Sequence, residues 1–217
     1  MHRLLILLSL LILLAAIVLR KVKADRALRK ARVKKMGMSA EDLARKMLDS
    51  LKHESVKIEV SSRANRVWAD ADVIGKKWLS LPTKVAGNLS AHAHGQAALR
   101  VGLYLLALQD PKAMGRRRWA LRFGQAFPIF TAMVLVFGIF VRLPMGWVLA
   151  IMMTSLALAA CAQILTVYVE RQASELACMV LEKKRILPRL SDEEAVLAAT
   201  QAWSWYGILP GILARLT

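Results

Sequence analysis

The residues of this chain best suited to chemistry lie in one stretch, Asn88 to Arg100 (NLSAHAHGQAALR), and at one acidic position far downstream, Glu170, which follows a long apolar run. His92, His94 and Gln96 interrupt an otherwise small and apolar helical pattern. In the helical pattern H-E-x-x-H, two imidazoles one turn apart stand about 40° from each other around the axis and meet one zinc ion, while the glutamate between them activates a water. Here the frame reads His92-Ala93-His94-Gly95-Gln96, so the first ligand position is filled, Ala93 stands at the general-base position and Gln96 at the second ligand position. A methyl group takes no proton, and a carboxamide is a poor ligand for zinc. Nor does His94 replace the lost ligand, because residues two apart on a helix point about 200° away from each other. His94 is expected to be a partly buried polar residue or to face lipid headgroups. His2 and His53 have no partner near them in the sequence.

The elements that must position these residues are those of a membrane protein. Hydrophobic residues make up 57% of the 217, yet the formal net charge is +17, a combination that fits charge segregated from apolar spans. Between Arg20 and Arg122 lie 24 of the 32 Lys and Arg residues against nine acids. Aromatics are sparse there (Trp68, Trp78, Tyr104 and Trp119) and no nucleic-acid motif occurs, so topology and anionic lipid headgroups account for the charge better than nucleic acid does. Two cysteines, Cys161 and Cys178, are too few for a disulfide framework and read as small buried hydrophobes.

Leu4 to Leu19 carries no charge and is followed at once by Arg20, Lys21, Lys23 and Arg26. A secretory signal places its basic residues before the apolar run and a small-residue cleavage site after it, so an uncleaved anchor is the better reading, with the N-terminus outside and Arg20 onward cytoplasmic. The cationic stretch Lys21 to Lys35 suits a helix running out along the headgroups. The cluster Arg116, Arg117, Arg118 and Arg122 precedes a second apolar run, Ala126 to Val141, and Arg142 to Gly146 turns into a third, Trp147 to Val169. Folded as a hairpin with its turn outside, these two runs return Glu170 to the side of His92. A last apolar run, Ala195 to Leu213, is either a fourth span or an interfacial helix, weakened by Gln201, Ser204, Pro210 and Gly211.

The part between anchor and hairpin reads as a small α+β unit. Ser39 with Asp42 opens a helix whose apolar face is Leu43, Met47, Leu48 and Leu51. Val56 to Val60 and Lys77 to Leu81 alternate apolar and polar residues, and Asn65, Asp70, Asp72 and Gly75 between them supply turn chemistry, so a short β-hairpin or two-stranded ribbon is expected. Asp70 and Asp72 are weak ligand candidates, since paired acids in a turn are usually solvated. Pro82 ends the second strand, Gly87 and Asn88 start the helix of His92, and Asp110-Pro111 stops it after Gln109.

This order of parts resembles the membrane-bound neutral zinc metallopeptidases of the YugP type: an anchor, a basic helix, a capped helix, a hairpin, an H-E-x-G-H-A helix, a transmembrane hairpin, an acidic ligand in a V-E-F-D-A-S segment, and a final apolar helix. Met38 to Asp49 is similar to the capped helix, Ala69 to Leu81 to the hairpin, His92 to Ala97 to the zinc helix and Val169 to Ser174 to the third-ligand segment. The resemblance implies a vestigial metal set of His92, Gln96 and Glu170, with Ala93 replacing the water-activating glutamate and Gln172 an aspartate. It implies no catalytic residue and no resident cofactor, zinc being the one candidate. The expected molecule is mainly α: an integral membrane protein of three or four transmembrane helices with a small cytoplasmic α+β metallopeptidase-like domain. Its parts are an anchor at 1–20, a basic domain at 21–122 carrying the degenerate zinc helix 88–109, a transmembrane hairpin at 123–169, and the Glu170 segment with the last apolar helix at 170–217. The bilayer, anionic lipid headgroups and a protein partner or second copy are its expected partners, in a bacterial cell membrane.

Overall fold

The computed structural model describes residues 2–62, 74, 75 and 77–209. Helix α1 (His2–Arg20) passes through a π-helical turn (Lys21–Asp25) into α2 (Arg26–Val33), so anchor and basic stretch form one rod. The π turn falls where the apolar run ends. Its wider turn, with more residues to the circuit, brings residues five apart to one side: Arg20 Nε lies 3.5 Å from Asp25 Oδ1, and the Arg20 guanidinium sits 4.2 Å from the centre of the Tyr206 ring. The first cation after the anchor is therefore turned inward and buried. Beyond it α2 buries Leu28 and Ala31 against protein and exposes its cations.

Helix α3 (Ala40–Ser50) starts at the expected place. Ser39 and Asp42 close a reciprocal capping box, with Ser39 Oγ accepting from the Asp42 amide at 3.1 Å, and Leu43, Met47 and Leu48 are fully buried. Of the two expected forms, the β-hairpin is corrected and a two-stranded ribbon is found. Strands β1 (Lys57–Ser61) and β2 (Trp78–Pro82) pair in parallel, with Ile58 opposite Leu79. Parallel pairing needs a crossover of about a dozen residues or more, and the connection over residues 62–77 supplies that length. Asn65, Asp70 and Asp72 lie outside the described residues. Strand β2 is the buried partner, with Leu79 and Leu81 inside and the Ser80 carbonyl accepting from the buried Arg100 guanidinium of the next long helix.

After a single turn, α4 (Thr83–Ala86), comes α5 (Ala91–Gln109). It starts three residues later than Asn88, because Ser90 is the residue whose side chain caps it, accepting from the Ala93 amide. Asp110 in turn caps α6 (Pro111–Phe140), with Pro111 in the first turn where its missing N–H costs nothing. Helix α7 (Met145–Lys184) returns alongside α6, and Ser155 Oγ donates to Thr131 Oγ1 across the pair at 2.9 Å. Helix α8 (Leu190–Tyr206) closes the described chain.

Among the described residues three helical rods are long and apolar enough to cross a membrane: His2–Val33, Pro111–Phe140 and Met145–Lys184. Their exposed side chains are those that lipid would cover, such as Leu7, Leu11, Phe130 and Phe137. Cys161 belongs to this surface and is exposed, against the expectation of burial, because α7 turns it away from the helices that cover Ala157 and Ala160; Cys178 is buried as expected. Helices α1 and α7 run side by side in the same direction. His2 packs on Trp147 with ring centroids 5.9 Å apart, and Ser9 Oγ is 3.3 Å from Thr154 Oγ1. The N-terminus and the α6–α7 turn thus lie at one end of the bundle, and the ends of both apolar runs at the other.

Helix α8, 17 residues over its described length, is not among those rods. It starts with Asp192 and Glu193 and buries Val196, Ala199 and Ala202 against protein. Beyond it Ile208 and Leu209 reach the core shared by α1 and α7, and residues 210–217 lie outside the described ones. The main core joins α3, β2, α5 and α8 to the last turns of α7, through Ala173, Ala177 and Leu181.

Candidate functional site

Helix α5 carries two glycines seven residues apart, and both admit a neighbouring helix. A Cβ on Gly95 would lie 2.6 Å from Ala199 Cβ and 2.9 Å from the Thr200 amide nitrogen of α8, and a Cβ on Gly102 would collide with the Ala173 carbonyl of α7. The helix bearing His92 is therefore clamped between α7 and α8 at backbone contact.

His92 is half-buried. Its ring meets Trp203 of α8 edge-on, with centroids 4.9 Å apart, and Trp203 Nε1 donates to the His92 carbonyl at 2.9 Å. Its Nε2 is buried with no hydrogen-bond partner among the described residues. Loss of solvent, helped by the charge of Arg32, lowers its pKa from the usual 6.5 to about 4, so the ring is neutral at pH 7 and Nε2 keeps its lone pair. His94 points elsewhere, as the two-residue spacing demands. It is fully buried, with Nδ1 2.8 Å from the Ser90 carbonyl. Burial lowers its pKa too, against the carbonyls of Ser90 and Met38 and the acids Asp192 and Asp42, which favour the protonated ring. His94 is a peg holding the first turn of α5 to the starts of α3 and α8; Lys34 pairs with Asp192 at 2.9 Å nearby.

Ala93 is buried, and Gln96 is half-buried on the same side of α5 as His92. Glu170 is engaged by a cation. Its Oε1 accepts from Arg117 Nη2 at 3.0 Å, with both side chains less than a tenth exposed, and the carboxylate lies 3.7 Å from the place a Cβ would take on Gly207. Gln172 bonds Tyr168 at 3.0 Å. Two side chains at the site were not foreseen. Trp203 gave no signal beyond its type, but Arg117 did: Ala113, Arg117, Ala120 and Gly124 share one helical stripe, and of the three consecutive arginines only Arg117 falls on it and is buried.

A zinc site needs three or more converging donors. His92 offers one suited nitrogen. Gln96 and Ala93 offer none of quality, Glu170 already has a guanidinium, and no group of three or more His, Cys, Asp and Glu residues converges among the described residues. The residues present do not fit the ion.

The family described as "putative neutral zinc metallopeptidase" matches residues 4–204, which is nearly the whole chain, and this protein belongs to it. No curated protein and no solved structure matches.

Proposed function

We propose that this chain is a peptidase-family member that no longer hydrolyses peptides and serves as a membrane-anchored scaffold or partner-binding protein. The observation that carries the reading is the buried Arg117–Glu170 pair: a guanidinium neutralises the carboxylate that the family resemblance assigns to zinc, while Ala93 stands where a proton acceptor is required. The soluble part sits on the cytoplasmic face of a bacterial cell membrane with the N-terminus outside. The basic residues that follow Leu19, and those that precede Ala126, support that orientation, as does the position of His2 beside the α6–α7 turn. The purified full chain, incubated with a casein-like substrate and zinc, is expected to cleave nothing that a chelator prevents; chelator-sensitive cleavage would refute the proposal.

One observation favours a second reading, an active zinc endopeptidase with rearranged ligands. The His92 Nε2 is neutral, buried and without a hydrogen-bond partner among the described residues, a state that suits a metal ligand. This reading requires Glu170 to leave Arg117 when metal binds, and predicts chelator-sensitive activity lost in both His92→Ala and Glu170→Ala.

A further inference from the structure

Where the parallel helices α1 and α7 end their apolar runs, a cavity of about 290 Å³ opens between them and α8. Two cations stand at it, Lys23 from the π turn, just past Arg20 and Lys21, and Arg171 from α7, next to Glu170. Ser174 and Ser204, both 2% exposed, supply hydroxyls to the cavity. Ser204 donates to the Gln201 carbonyl at 2.6 Å. The buried Ser174 Oγ has no oxygen or nitrogen partner among the described residues and meets only the thiol of Cys178, a weak one. Trp205 completes the α8 side, with the Arg171 guanidinium 5.8 Å from its ring centre, and Glu175 contributes the single carboxylate.

We propose that this cavity binds a phosphodiester, that of an anionic phospholipid headgroup. Two cations against one carboxylate leave the lining with a positive charge, and the Ser174 hydroxyl, engaged only weakly by a thiol, can donate to a phosphate oxygen instead. The volume falls just under the range of about 300–1,000 Å³ that houses drug-sized molecules, as a headgroup requires. Position selects lipid over free phosphate. The cavity opens where two apolar runs stop, and a tryptophan with one apolar and one polar edge belongs at that depth. Basic pockets between spans are where phospholipid headgroups dock. Glu175 narrows the class further, because a carboxylate beside a bound phosphate needs a donor. A headgroup bearing hydroxyls, such as phosphatidylglycerol, provides one while keeping its phosphodiester anionic, whereas phosphatidic acid has no alcohol and could donate only by protonating the phosphate itself.

The test is native mass spectrometry of the full-length protein, delipidated and then offered phosphatidylglycerol, phosphatidic acid or phosphatidylcholine, with inorganic phosphate as a separate arm. The expected result is one phosphatidylglycerol retained per chain, at least tenfold more tightly than phosphatidylcholine. Retention should fall at least tenfold in Lys23→Gln/Arg171→Gln and stay unchanged in Arg189→Gln, an exposed cation elsewhere. Glu175→Gln should keep the site but erase its preference for phosphatidylglycerol over phosphatidic acid, which tests the proposal even if the double variant fails to fold. Equal retention of all three lipids, or indifference to both sets of substitutions, overturns the proposal. Saturation by inorganic phosphate in competition with lipid would assign the site to a free anion and overturn the lipid source. None of these outcomes bears on whether the chain hydrolyses peptides.

Discussion

Glu170 and Arg117 face each other at 3.0 Å from α7 and α6, each less than a tenth exposed. A carboxylate buried at the end of an apolar run requires a positive charge beside it, and here the charge comes covalently attached to the neighbouring helix. This arrangement fixes the α6–α7 pair where it meets the main core and leaves one donor fewer for any metal.

Breaking that pair from one side is expected to cost about 3–5 kcal/mol, since it strands a buried charge, while replacing both partners with apolar residues of similar size is close to neutral. Thermal unfolding in detergent should rank Glu170→Met and Arg117→Met well below the wild type, with the double variant recovering most of the loss. A double variant no more stable than either single one would contradict the assignment.

The pH dependence follows from His92. Its folded pKa of about 4 lies below the usual 6.5, so as pH falls the unfolded chain takes up the proton first. The contribution of the neutral ring to stability is fully present above about pH 6.5 and is lost as pH drops from there toward 4. His94, shifted the same way, adds to the loss. Melting curves taken from about pH 8 down to about pH 5, on either side of the ordinary imidazole pKa, should show a smaller decline for His92→Phe than for the wild type, and equal declines would remove this role.

Two glycine substitutions should move stability in opposite directions. Gly95→Ala places a methyl 2.8 Å from the Ala199 carbonyl carbon, in backbone that cannot step aside, and is expected to cost about 1–3 kcal/mol despite the better helix propensity of alanine. Gly115→Ala, in the first turns of α6 with nothing within 4 Å of its new methyl, should gain about 0.5–1 kcal/mol. Comparing unfolding midpoints of the two settles whether α8 sits on the site helix as closely as described.

Rebuilding the motif alone should not rebuild the site. Ala93→Glu with Gln96→His restores the sequence pattern on α5, but Glu170 remains held by Arg117. Zinc titration by calorimetry is expected to show binding at least tenfold weaker in this variant than in the one that also carries Arg117→Met. Equal affinities would show that the ion pair does not compete with metal.

Much of the architecture was legible in local signals. Ser39 and Asp42 announced α3, Asp110-Pro111 divided α5 from α6, and the uncharged runs located the three long rods, because caps, prolines and apolar length act within a few residues. Strand direction was not legible: Val56 to Val60 and Lys77 to Leu81 show the same alternation whether they pair antiparallel or, as here, parallel, and only the crossover decides. At the site, the 200° between His92 and His94 was readable from spacing and holds. The counterion of Glu170 was not read, although the helical stripe through Arg117 contained it, because a run of three arginines signals topology before it signals a buried charge. Exposure of Cys161 was missed for a related reason, since an apolar run does not say which of its faces meets lipid.

The most direct measurement is the metal content of the full-length protein, purified without chelator in the presence of zinc and assayed by elemental analysis alongside His92→Ala. The account predicts far less than one zinc per chain, with no difference between the two proteins. One tightly held zinc per chain in the wild type, absent from His92→Ala, would contradict it.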